Sequence, residues 1–324
     1  MASDSSGGEF VFYDLKPPAP DIRKEICEGL SLEQKAISPK YLYDRRGSLL
    51  FETITGLPEY YLTRVEVGIL LEHRRDMSHM IERDSWLLEY GAGSGRKSRI
   101  VLETINPAAY VPVDISSTHL VESARQIHRE FIGLAVYPIC ADYTKSFEMP
   151  AEMPNASRAV FFPGSSIGNF TRDEAEDFLR TVAGVVGANG VMVLGIDTRK
   201  SANIIEPAYN DSRCVTAMFN KNILQHLNNE IGSDFQLTHF DHCAFYDEQE
   251  GCLQMHLVCN AEHEVSIGND SFAFREGETI HTENSFKYSP EELKEIANRA
   301  GFDCEAIWTD RKEWFMVALL RNSR

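Results

Sequence analysis

From position 86 onward, short unbroken apolar runs alternate with segments whose apolar residues recur at the helical period. Residues 86–90 predict a buried strand, 97–104 a helix and 110–114 a second strand. Ser117 is placed to cap the next helix, in which Leu120, Val121, Ala124, Ile127 and Phe131 repeat every three to four positions. Strands are expected near 135–139, 159–162 and 191–196. Between the last two, Thr171-Arg172-Asp173-Glu174 forms a capping box that opens a helix with Phe178, Leu179 and Val182 inside. Strands alternating with helices imply right-handed crossovers and a mainly parallel sheet covered on both faces.

The alternation stops near residue 200. Up to about 285 the chain holds one or two helical patterns, the clearer at 215–230, and alternating stretches such as Cys252-Leu253-Gln254-Met255-His256-Leu257, which predict antiparallel strands. This reads as an insertion. Ser289-Pro290-Glu291-Glu292 then opens a helix that Gly301 closes, and strands around 304–308 and 314–320 complete the sheet. The expected architecture is α/β. A flexible tail occupies 1–10, the large sheet takes 62–200 and 286–324, and a discontinuous α+β domain is built from 11–61 and 201–285.

Composition narrows the partners. The 324 residues include 32 basic and 49 acidic side chains, a formal charge of −17, with no Lys/Arg-dense run, so nucleic acid is not an expected partner. The charge-rich stretch at 72–84 fits a solvated helix face. No apolar run approaches roughly 18 residues and the first ten are polar, so no membrane partner and a cytoplasmic location are expected. Seven scattered cysteines without a CxxC pair suit reduced thiols. His239, His242, Cys243, Cys252, His256, Cys259 and His263 crowd the insertion, but their spacings match no tight zinc set, and His256 and Cys259 face opposite sides of one strand. No metal is expected.

The candidate chemistry begins at "LLEYGAGSGRK", residues 87–97, where Gly91, Gly93 and Gly95 follow the first strand directly and precede a helix. Such a turn lets a ligand lie against bare amides at a helix N-terminus, although glycines also serve tight turns. Asp114 ends the second strand, where an acid commonly takes ribose hydroxyls, and Asp142 follows the third, where a nucleoside base would lie. Either acid alone reads more readily as a solvated loop carboxylate than as a ligand contact. Their shared sheet edge joins them to the glycines. A dinucleotide enzyme shares these features, yet Glu89 beside a GxGxG turn rather than GxGxxG points elsewhere.

The turn resembles motif I of class I S-adenosylmethionine-dependent methyltransferases, which have a Rossmann-like sheet. That resemblance implies S-adenosylmethionine as cofactor, with S-adenosylhomocysteine as product. It places Glu89, Gly91, Gly93, Gly95 and Lys97 at the cofactor, Asp114 at its ribose, and Asp142 with Tyr143 at its adenine. The segment after the fourth strand, Phe162-Pro163-Gly164-Ser165-Ser166-Ile167-Gly168-Asn169-Phe170, is not the D/N-P-P-Y of base-modifying relatives.

Four separated segments carry a closer resemblance: "YLYDRRGSLLFETITGLPEYYLTR" (41–64), "GSSIGNF" (164–170), "PAYNDSRCVTAMFNKN" (207–222) and "TENSFKY" (282–288). Together, over roughly residues 20–320, they resemble the ergothioneine-pathway histidine N-alpha-methyltransferase family. The resemblance implies that the α-amine of L-histidine is trimethylated to hercynine, with the second domain binding the amino acid. Asn169 and Tyr60 match the residues that hold the amine, and Tyr43 and Tyr209 those that meet the carboxylate. Gly164 matches a further substrate position, Glu283 and Ser285 match the imidazole contacts, and Phe51 and Met255 match the apolar wall. Read without the family, Asn169 is a turn residue, the tyrosines are core aromatics, and Glu283 and Ser285 belong to an edge strand. A relative that methylates an indole amino acid such as a prenylated tryptophan shares the fold, but Glu283 and Ser285 argue against it. A cofactor-sensing module without catalysis is opposed by Asn169 and Tyr60. Asn284 and the Gly95-Arg96-Lys97 run depart from the family pattern and bear on amino-acid preference. A monomer is expected.

Overall fold

Every residue of Trp86–Tyr90 is buried, as a strand covered on both faces must be. It lies at the centre of the large sheet in a computed structural model that describes residues 8–15, 21–91, 95–115, 117–145, 147–150 and 156–323. The chain divides into two units, one drawn from 1–18, 64–198 and 288–324, the other from 19–63 and 199–287.

In the first unit the strand order is Tyr13–Asp14, Ile139–Cys140, Ala109–Asp114, Trp86–Tyr90, Arg158–Phe162, Val191–Asp197, Phe315–Asn322 and Phe302–Thr309. Pairing is parallel as far as Val191–Asp197, and Phe315–Asn322 then pairs antiparallel both with it and with Phe302–Thr309. Growth of the sheet reverses direction between Trp86–Tyr90 and Arg158–Phe162. The loops leaving these strands at Gly91 and Pro163 therefore flank the switch point where open α/β sheets take ligands. The helices Arg172–Val186 and Pro290–Ala300 start at capping boxes with both reciprocal bonds made, Thr171 with Glu174 and Ser289 with Glu292.

Two expectations are corrected here. Residues 8–15 are neither tail nor part of the second domain. Val11, Tyr13 and Leu15 donate their amides to the carbonyls of Val136, Pro138 and Cys140 at 3.2, 2.9 and 3.1 Å, which satisfies an otherwise open sheet edge. Phe10 bridges Val136, with the Arg125 guanidinium 5.0 Å from its ring centre. The strand expected at 135–139 is broken into Ala135–Val136 and Ile139–Cys140, because Pro138 has no amide hydrogen to give a ladder.

The second unit carries an antiparallel sheet of Phe240–Asp247, Cys252–Cys259 and Thr279–Phe286, with Lys35–Ala36 added in parallel at one edge. A separate hairpin joins His263–Ile267 to Asp270–Phe274. The helix Arg45–Thr55 packs on Val215–Ile231, so the N-terminal segment from residue 21 does associate with the insertion.

Candidate functional site

In the first unit the glycine turn is built from below. Gly91 (φ +70°) and Gly95 (φ +71°) adopt left-handed backbone that side chains disfavour. A Cβ on Gly91 would stand 3.6 Å from Tyr143 Oη, and one on Gly95 only 2.8 Å from Arg99 Nη1. Gly95 caps the helix Arg96–Ile105 without any side-chain hydrogen bond among the described residues, so no capping side chain takes the first amides of that helix. Gly93 lies outside the described residues. Glu89 is buried beneath the turn, accepting hydrogen bonds from Ser98 Oγ at 2.8 Å and Tyr110 Oη at 2.6 Å. Burial raises its carboxyl above the usual range, against the opposing pull of Tyr110 and Ser98. Glu89 thereby ties the strand to the helix start and to the neighbouring strand.

Asp114 closes its strand and is half-buried. Asp142 lies two residues beyond Ile139–Cys140, its Oδ1 taken by the Thr144 amide at 3.1 Å and hydroxyl at 2.5 Å, its Oδ2 2.9 Å from Lys145. Burial pulls its carboxyl upward, but the Thr144 and Lys145 bonds outweigh this and hold it below the ordinary value. Tyr143 stacks on Tyr90 with centroids 5.3 Å apart and planes at 15°, and burial raises its phenol.

The residue that sequence reasoning missed is Glu66, fully buried on the helix Tyr61–Glu72. Its carboxylate sits 2.5 Å from Lys97 Nζ, and the Gly164 amide lies 3.0 Å from both of its oxygens. One buried carboxylate thus gathers the helix after the glycine turn and the loop after the fourth strand. That loop continues through Ser165 (φ +61°), whose amide donates to Gly195 O at 3.1 Å and whose Oγ accepts from the Asp197 amide at 3.0 Å. It ends in the short turn Ser166–Asn169, with Asn169 half-buried. A Cβ on Gly195 would overlap Glu66 Oε1 and approach Phe315 Cε1 to 3.3 Å. Gly195→Ala is therefore expected to cost about 1–3 kcal/mol of stability through overpacking. Thermal unfolding checks this, and an unchanged midpoint would contradict the tight fit.

In the second unit the aromatic residues form a connected series. Ring centroids of Tyr43 and Phe51 are 5.5 Å apart, Phe51 and Tyr60 6.2 Å, Tyr60 and Tyr209 6.2 Å. Phe219, also missed from sequence although it lies inside the 207–222 segment, touches Tyr43 at 5.4 Å and Phe51 at 5.9 Å. At the Tyr209 end the phenol oxygen is 2.9 Å from Ser285 Oγ. Glu283 and Ser285 alternate along the strand Thr279–Phe286 and share a face, and Lys287 follows just beyond its end. Met255 pairs with Glu283 in register and is buried. Glu283 is only 8% exposed; burial pushes its carboxyl up to about 7, partly countered by Lys287. Among the described residues no group of three His, Cys, Asp or Glu could hold a metal ion, and no helix is long and apolar enough to cross a membrane.

A family model for histidine-specific, S-adenosylmethionine-dependent methyltransferases matches residues 22–322. The chain is 33% identical over 305 residues to the histidine N-alpha-methyltransferase of Mycobacterium tuberculosis, covering 92% of this chain and 94% of that one. It is 32% identical over 296 residues to ergothioneine biosynthesis protein 1 of Neurospora crassa, covering 87% of this chain and 32% of that protein. To N-methyltransferase fsqC of Aspergillus fumigatus it is 24% identical over 298 residues, covering 89% and 80%.

Proposed function

The chain belongs to the histidine-specific, S-adenosylmethionine-dependent methyltransferase family, and from that premise we propose that it transfers three methyl groups to the α-amine of L-histidine, giving hercynine for ergothioneine biosynthesis. The observation that carries the choice of amino acid is the placement of the buried Glu283 carboxyl and the Ser285 hydroxyl, two residues on, on one strand face, where a carboxyl and a hydroxyl can meet the two nitrogens of an imidazole. Burial pushes that carboxyl up to about 7, toward the imidazole range. An indole, with one N–H and no acceptor, uses only half of such a pair.

The first unit fits the cofactor. Gly91 and Gly95 give the turn left-handed backbone without side chains, and the amides at the start of Arg96–Ile105 suit a carboxylate. Gly91, Gly93, Gly95 and Lys97 would hold its amino-acid end, Asp114 its ribose, and Asp142 with Tyr143 its adenine. Glu89 would support the turn from beneath. When bound, S-adenosylmethionine supplies a methyl group on a sulfonium whose departure leaves a neutral thioether.

The chain's own task is positioning, because methyl transfer to an amine needs a free lone pair held in line. An α-amine is largely protonated at pH 7. Asn169 supplies a neutral amide oxygen that orients the amine without stabilising its proton as a carboxylate would. Tyr60 adds a phenol, and its ring face favours the cationic methylated products. Tyr43 and Tyr209 offer neutral donors to the substrate carboxylate, and Gly164 lines the same substrate. Phe51 and Met255 close the site with apolar surface that excludes water.

Mass spectrometry of the protein with cofactor and a panel of free amino acids tests the reading. Histidine alone should gain three methyl groups. Methylated tryptophan, or an unchanged panel, would refute it.

A further inference from the structure

Lys287 is fully buried, a position an ammonium occupies only with hydrogen-bonding partners. Its Nζ lies 3.0 Å from Tyr209 Oη and 2.7 Å from Ser285 Oγ, and these two oxygens are 2.9 Å apart. The cation also lies 5.0 Å from the centre of the Tyr209 ring. An ammonium only donates, so both hydroxyl oxygens accept from it. Two hydroxyls carry two protons, and the contact between them consumes one. At most one hydroxyl proton is then available to a group outside the triad.

We propose that Lys287 is a positioning residue of the amino-acid subsite, fixing the Tyr209 and Ser285 hydroxyls as acceptors on its side so that their one remaining proton is directed at the bound amino acid. This rests on the histidine reading above and deepens it. In one arrangement Ser285 donates to Tyr209, Tyr209 donates to the substrate carboxylate, and Ser285 Oγ keeps a lone pair for an imidazole N–H. In the other, Tyr209 donates to Ser285, and Ser285 donates to an unprotonated ring nitrogen. The two hydroxyls do not serve as donors to both ends of the substrate at once. A positive charge behind the pair polarises both O–H bonds and strengthens the one turned to the ligand. A neutral side chain of the same length would remove that order while filling the same space.

The test is calorimetric titration of histidine into the wild type, Lys287→Met, the double variant Tyr209→Phe/Ser285→Ala, and the triple variant. Lys287→Met is expected to weaken histidine binding at least tenfold and raise KM, with kcat at saturation changed less than threefold and cofactor affinity unchanged. In the background lacking both hydroxyls the same substitution should change affinity less than twofold, because a residue acting only through those oxygens has nothing left to act on. A purely structural lysine would give additive losses, and additivity, or undiminished affinity in Lys287→Met, overturns the proposal. Should Lys287→Met not fold, the single variants Tyr209→Phe and Ser285→Ala decide. Because their hydroxyls are coupled through one proton and one cation, they should lose clearly less together than the sum of their separate losses, and additive losses would sink the arrangement. A wild type that binds no histidine would instead defeat the underlying substrate reading.

Discussion

Glu283→Ala is expected to weaken L-histidine binding roughly ten- to a hundredfold, the equivalent of a hydrogen bond to a charged partner worth about 1.5–3 kcal/mol. Cofactor affinity should not move, because the glycine turn, Asp114 and Asp142 belong to the first unit and Glu283 to the second. Loss of both affinities would overturn the role. The pH dependence follows from the direction of the shift. Burial raises the Glu283 carboxyl to about 7, so in the folded protein the ionised form is the disfavoured one. Relative to an ordinary carboxyl, this group therefore lowers stability progressively as pH rises from about 4.5 to about 7, and no further above that. Glu283→Gln should remove that slope. For the ligand, carboxyl and imidazole holding one proton between them, or none beyond the neutral ring's own N–H, make a good pair. With both protonated the carboxylate charge is lost and only the weaker carbonyl oxygen is left to accept from the ring. Histidine affinity should thus hold at and above pH 7 and fall as the pH drops below roughly 6.5. Burial also lowers both neighbouring imidazoles, His256 to about 4 and His281 below its ordinary value. In Glu283→Gln the acid fall should flatten, since an amide oxygen accepts from imidazole and imidazolium alike. An identical profile in the variant would assign the dependence to another group.

Asn169→Asp should produce the larger kinetic effect. The substitution keeps shape and one acceptor oxygen while adding a charge that favours the ammonium form of the substrate. An opposite charge at contact raises an amine by 1–3 pH units in general, which leaves roughly ten- to a thousandfold less free amine at pH 7.5. kcat should fall by that factor and recover about one decade per pH unit on the alkaline side, whereas KM should not rise. Asn169→Ala should lose about a hundredfold in kcat through misplacement, without alkaline recovery. Stopped-flow or discontinuous assays of methylated product across pH 7 to 10 separate the two. An Asn169→Asp variant as fast as the wild type would remove Asn169 from the amine.

The local signals were strong where a residue's surroundings are its own sequence neighbours. The runs at 86–90 and 191–196 announced buried strands, and the side chains of Thr171 and Ser289 marked helix starts that close with the expected reciprocal bonds. The glycines and the four resembling segments identified the chemistry, since those residue types in that order are constrained by what they touch. The alternation of period likewise separated a parallel sheet from an inserted antiparallel one.

Only the tertiary structure decided which ordinary-looking charges are buried and which chain crosses to find them. In the sequence Glu66 is one acid among 49, yet folding removes it from water and makes it the shared partner of Lys97 and Gly164. Lys287 is the second-to-last residue of the 282–288 segment, but its worth lies in meeting Tyr209, 78 positions away. The 8–15 segment joined the sheet edge beside Ile139–Cys140 through backbone amides that no side-chain pattern encodes. A sequence fixes periodicity and residue type, both local quantities. Burial, and the pairing that a buried charge or an open strand edge demands, depend on which distant segment arrives to supply the missing partner.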